Sequence, residues 1–176
     1  MRLPADGTLI VVGAQEAIDH SCGSAGDSRR VEANLALLIA AWRKEGLPLV
    51  HVRFSSAPGG RFEACATPLD GETVIRASAA SAFAGSGLEG VLDDAGATTL
   101  VVCGALNALE PTARDAGNLG YRVFVPFDAC WPPASPADPS AARLSGETSA
   151  VVDTAAALSA AATAKARQRR EAGRKR

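Results

Sequence analysis

The chain has 176 residues, 47% hydrophobic and 21% charged, with a formal net charge of −1. This suits one domain able to bury a core without staples. No apolar stretch approaches the roughly 20 residues that span a bilayer, so no membrane partner is expected. Four irregularly spaced cysteines (Cys22, Cys65, Cys103, Cys130) and two histidines lack zinc-ligand spacing, so neither a metal nor another cofactor is expected.

The opening "MRLPADGTLIVV" has an acidic residue and a turn before a five-residue apolar run, which does not read as a signal peptide. A cytoplasmic protein with reduced thiols is the expectation. Charge is unevenly spread. The segment "KARQRREAGRKR" (165–176) holds seven of the 18 basic residues, which leaves 11 basic against 18 acidic in 1–164. Residues 1–164 are therefore expected as the folded domain and 165–176 as a basic, disordered tail. No aromatic residue interleaves with the tail's charges, so nucleic acid is not an expected partner.

In chain order, "TLIVVG" (8–13) reads as a buried strand and "HSCGSAGDSRR" (20–30) as a loop. The next segment, 31–46, places Val31, Leu35, Leu38, Ile39 and Trp42 on one helical stripe. "LPLVHVRF" (47–54) completes a βαβ unit, whose crossover is right-handed as a rule. After a loop come a strand at 73–77, a helix at 87–96 and a strand at 98–104. A helix follows at 111–120, opened by Pro111 and closed by Gly120, then a strand at 121–129. "WPPASPADPS" (131–140) is too proline-rich for regular structure. A short helix at 141–147, a strand at 149–154 and an alanine-rich helix at 155–170 finish the pattern. Strands alternating with helices predict an α/β fold with a mostly parallel sheet covered on both faces.

Four segments together resemble the isochorismatase-like family of cysteine hydrolases: "ANLALLIAAWRKEGLPLVHVRF", "PLDGETVIRASAASAFAGSGLEGVL", "TLVVCGALNALEPTARDAGNLGYRVFVPFDAC" and "LSGETSAVVDTAAAL". The resemblance runs from about residue 8 to 160, in order and spacing. It implies a three-layer fold with a six-stranded, mostly parallel sheet between helices, assembled as a homo-oligomer. It also implies an Asp after strand one, a Lys after strand three and a nucleophilic Cys after strand four. A thiolate attacks, a carboxylate manages its proton, and an ammonium lowers the thiol's pKa. This chain departs at all three places. D-x-Q reads G-A-Q, putting Gly13 at the Asp position. "VIRASAASAF" puts Ala77 at the Lys position, and "GALNALEPTAR" puts Ala108 at the Cys position, in a stretch about two residues shorter than in the family. No catalytic residue is assigned.

The resemblance places several side chains around a surviving pocket. Gln15 and Asn107 are expected to orient a polar ligand group, and Phe83 to form an apolar wall. Glu110 is a carboxylate near the mouth or a cap of the following helix. His20 lies beside Asp19 and near Cys22 on the loop after strand one. Trp131 is expected at the rim of a more open pocket, either against a ligand or packed. Cys103 reads as a buried packing thiol, and His51 as a locally hydrogen-bonded strand residue. Three functions remain open: a non-catalytic domain binding a small ligand or partner, an enzyme with repurposed hydrolase, lyase or cyclase chemistry using Glu110, His20 or Cys103, and a structural protein assembled through its helix stripes.

Overall fold

Parallel strands buried on both faces need near-continuous apolar sequence, and the central runs of this chain supply it. Leu9–Val12, Leu100–Cys103 and Val123–Val125 are all fully buried. The computed structural model describes residues 7–16, 25–55, 60–132, 143–144 and 149–163. Its strands are β1 (Thr8–Val12), β2 (Leu49–Phe54), β3 (Thr73–Ala77), β4 (Thr99–Ala105), β5 (Arg122–Pro126), β6 (Cys130–Trp131) and β7 (Ser149–Val152). Its helices are α1 (Ala25–Glu45), α2 (Leu88–Asp94), α3 (Leu106–Asn118) and α4 (154–163).

Six strands run β3-β2-β1-β4-β5-β7, and β6 pairs with β4 off this path. Every strand-to-strand ladder is parallel. The predicted α/β sheet between helices is thus observed, with β6 as an added seventh strand. It arises because β5 stops at Pro126, three residues before the sequence suggests. A 3-10 turn, Phe127–Ala129, then swings Cys130 and Trp131 beside Gly104 and Ala105.

Two helices also start earlier than predicted. α1 begins at Ala25, inside the expected loop, and an Asp27–Arg30 pair lies on its first turns at 3.8 Å. Its predicted stripe is the buried face: Leu35, Leu38, Ile39 and Trp42 are at most 1% exposed. The Trp42 indole N–H donates to the Gly7 carbonyl at 2.8 Å. α3 begins at Leu106, which leaves Pro111 inside it rather than at its first position. Leu106, Leu109, Ala113 and Ala116 share a buried helical face. Burying that first turn offsets the one intrahelical hydrogen bond that Pro111 cannot donate.

Asp128 fastens the last elements to the rest. It accepts from the Asn34 side-chain amide through its backbone carbonyl (2.8 Å) and Oδ2 (3.2 Å). Its Oδ1 accepts from the backbone N–H and hydroxyl of Thr154, both at 2.8 Å, at the start of α4. No helix among the described residues is long and apolar enough to cross a membrane. The expected tail (165–176), most of the 131–140 loop and most of the 141–147 helix lie outside the described residues.

Strand order reverses direction between β1 and β4. In open parallel sheets the crevice outside the carboxyl ends of such strands is where ligands bind.

Candidate functional site at the ends of β1 and β4

β1 and β4 end together, with Val12 aligned on Gly104. Gly13 follows with φ +61, and its N–H donates to the Val52 carbonyl at 2.9 Å. Left-handed backbone of this kind suits glycine. A Cβ built there would lie 3.4 Å from the Phe54 ring and 3.5 Å from the Ala105 methyl. An acidic side chain at this position would therefore start out against apolar groups on an unfavourable backbone.

Ala77 ends β3 in register with Phe54 and is 1% exposed. Ala108 sits in the first turn of α3, 9% exposed, and its carbonyl accepts from the Thr112 hydroxyl at 2.7 Å. Thr112 Oγ1 in turn accepts from the Ala82 N–H at 2.9 Å, which ties the segment after β3 to α3. The positions read as Gly13, Ala77 and Ala108 thus stand at the carboxyl ends of β1 and β3 and just past β4. They present only hydrogen or methyl groups.

Gln15 is buried, and the Phe54 backbone occupies its amide. Oε1 accepts from the Phe54 N–H at 2.7 Å, and Nε2 faces the Phe54 carbonyl at 3.4 Å. Its role here is to hold the chain after β1 against the end of β2. Trp131 is 1% exposed and aligned with Ala105, so it is packed inside rather than placed on a rim. Asn107 is exposed on the first turn of α3. Phe83 is half-buried and stacks on Tyr121, with ring centroids 6.1 Å apart. Glu110 is 8% exposed, lies within α3 rather than capping it, and pairs with Arg114 Nη1 at 3.1 Å. It faces a cleft of about 250 Å³ shared with Arg143, Leu144 and Ser149 beside β7. His20, Asp19 and Cys22 lie outside the described residues.

Phe54, Ala105 and Gly104 were not among the expected site residues. Phe54 had a readable signal, since β2 and β3 end one after the other and an in-register pairing sets it beside Ala77. The inward position of Trp131 had none, because it depends on the turn that creates β6.

The described thiols are poor nucleophiles. Cys103 is fully buried and its Sγ points at the Ile10 carbonyl at 3.8 Å; burial holds its pKa well above the ordinary thiol value. Cys130 bonds the Pro126 carbonyl at 3.3 Å and is pushed up to about 12 by burial. Burial likewise raises Cys65 to about 11. Reactivity follows the thiolate. In native protein at pH 8, all three are expected to react with an aromatic disulfide more than about 100-fold slower than a free thiol. Mass-spectrometric mapping of a fast label to any of them would contradict this. Among the described residues, no group of three or more His, Cys, Asp or Glu side chains is placed to hold a metal.

The isochorismatase domain model matches residues 8–156. Streptothricin hydrolase of Streptomyces noursei is 34% identical over 132 residues, which are 69% of this chain and 48% of that protein. The chain therefore spans about half the length of that relative. An uncharacterized isochorismatase family protein of Bacillus subtilis, YrdC, is 26% identical over 133 residues, covering 69% of this chain and 71% of its own. A crystal structure from Chromobacterium violaceum, of the isochorismatase family, superimposes with a TM-score of 0.80 at 32% identity, covering 93% of this chain and 97% of the other.

Proposed function

Because the chain belongs to the isochorismatase family, we propose that it keeps that family's hydrolase-like fold without its cysteine chemistry and serves as a non-catalytic, small-ligand-binding domain. The observation that carries this reading is the identity of Gly13, Ala77 and Ala108 at the ends of β1 and β3 and just past β4. A hydrogen and two methyl groups can neither transfer a proton nor form a covalent adduct. The high thiol pKa values of Cys103 and Cys130, and the Phe54 ring beside Gly13, support the same conclusion. The reading carries with it a cytoplasmic setting and assembly into a homo-oligomer.

Purified protein is expected to turn over amides, nitriles and vinyl ethers no faster than buffer. A rate well above buffer that disappears on substituting Asn107 or Glu110 would overturn the proposal. One observation favours a second reading: the match to a relative named as a hydrolase. An enzyme with repurposed chemistry in the same crevice would then have to draw on Glu110 or on His20 and Cys22. Fast, selective labelling of Cys22 would move the assignment to it.

A further inference from the structure

Three arginines stand at the carboxyl edge of the sheet without a counter-charge. Arg53 on β2 and Arg76 on β3 are register partners. Paired residues on adjacent strands lie about 4.8 Å apart and point to the same face. That face also carries His51 and Val74, the preceding pair on it, and is opposite to Phe54 and Ala77. Like charges placed directly opposite one another destabilise a sheet.

The loop 60–63 completes the cluster. Gly60 has φ +64, and a Cβ built on it would lie 2.9 Å from Arg53 Nη2, so the guanidinium rests on bare backbone. Arg61 follows and is exposed, and its carbonyl accepts from the Glu16 N–H at 3.0 Å. The Glu63 N–H donates to the Ala14 carbonyl at 3.0 Å, and Gln15 bridges Phe62. The loop is thus stitched to the residues that follow Gly13.

Among the other described arginines, Arg30 pairs with Asp27, Arg43 with Glu72, Arg114 with Glu110 and Arg122 with Thr99, whereas the exposed Arg143 has no such partner among the described residues. Among the described residues, Arg53, Arg61 and Arg76 have no side-chain hydrogen bond or ion pair, not even with nearby Glu16 or Glu63.

From this placement we infer that Arg53, Arg61 and Arg76 form a rim that captures the oxyanion of a small ligand, a phosphate or a carboxylate, at the ends of β2 and β3 on the face of the sheet that carries His51. Planar guanidinium groups bind both anion types in bidentate fashion, and a bound anion removes the Arg53–Arg76 repulsion.

Calorimetric titration at constant ionic strength tests it, with inorganic phosphate, succinate and neutral succinamide as probes. Saturable binding of phosphate or succinate, and none of succinamide, is the expected result, and the tighter anion assigns the headgroup. Arg76→Gln, at an exposed position, should weaken that binding about tenfold, the scale of a lost charge-assisted hydrogen bond. Arg53→Lys should weaken it less than Arg53→Gln. Absence of saturable binding by both anions, or undiminished binding in Arg76→Gln and Arg53→Gln proteins with native circular dichroism, would overturn the rim. Turnover of a neutral amide would instead overturn the non-catalytic reading and leave the rim standing.

Discussion

Replacing Gly104 by alanine is expected to cost about 3–5 kcal/mol, close to the whole stability of a marginal domain. Gly104 has φ +121, and a Cβ there would stand 2.1 Å from the Val12 carbonyl oxygen and 3.0 Å from Val12 N and C. No side chain can rotate away to relieve this, because the obstacle is the backbone of the neighbouring strand. Relief requires β1 and β4 to separate at the centre of the sheet, where both are fully buried. Gly13→Ala is the matched control. It also demands a left-handed residue but meets only ordinary contacts at 3.4–3.5 Å, so a loss of about 1 kcal/mol is expected from backbone preference alone. Urea unfolding of the two variants checks the contrast. Equal midpoints would mean that the close approach of β1 and β4 at Gly104 is not what the sheet depends on.

The difference between those glycines shows what the sequence makes legible. Both end apolar strands and both look like turn formers, yet only the parallel register brings Val12 onto Gly104. The strands themselves were readable because a parallel strand covered on both faces has to be apolar along its length. The buried stripe of α1 was readable because Leu35, Leu38, Ile39 and Trp42 recur at helical spacing. Its start was not, since Gly26 and Ser28 belong to a stretch that reads as a loop, yet both lie inside the helix, which begins at Ala25. Pro111 misled in the opposite sense. Proline suits a helix start, but the buried face formed by Leu106 and Leu109 with Ala113 and Ala116 outweighs the lost bond.

Motif spacing proposes Gly13, Ala77 and Ala108 as the triad-equivalent positions, and the fold sets these three residues at strand ends and on the first turn past β4. What surrounds them was less legible, since it is decided by long-range contacts. Gln15 looked like a ligand-orienting amide, but Phe54, 39 residues away, engages both its polar atoms. Phe83 looked like a pocket wall, but Tyr121 supplies a ring for it to stack on. Side chains able to serve either the fold or a ligand are separated only by the partners that tertiary structure delivers.

Glu72 illustrates how much one such delivery contributes, and Glu72→Gln should lower stability at pH 7 by on the order of 2–3 kcal/mol. Its carboxylate accepts from Arg43 Nε at 2.7 Å and Nη2 at 2.9 Å, and from the Leu69 N–H at 2.9 Å. His51 Nε2 lies 3.0 Å from Oε2. The Arg43 hydrogen bonds, with smaller help from the Leu69 N–H and the Arg43 charge, outweigh burial and hold Glu72 down to about 2. His51 is fully buried, and burial outweighs the attraction of Glu72 to set its pKa below the ordinary value. It is therefore neutral near pH 7, with its proton on Nε2 facing the carboxylate. Both depressed groups act in the same direction. In each case the unfolded chain takes up a proton at a higher pH than the folded one, so stability falls as pH falls. The His51 contribution is lost as pH drops below about 6.5, and that of Glu72 between about 4.5 and 2. Urea midpoints measured from pH 8 to pH 3 should accordingly decline in wild-type protein, beginning below about pH 6.5. His51→Gln should flatten the first part of that decline and Glu72→Gln the second. A wild-type midpoint that stays level down to pH 3, or a Glu72→Gln protein with an unchanged acid limb, would show that this cluster does not couple folding to protons.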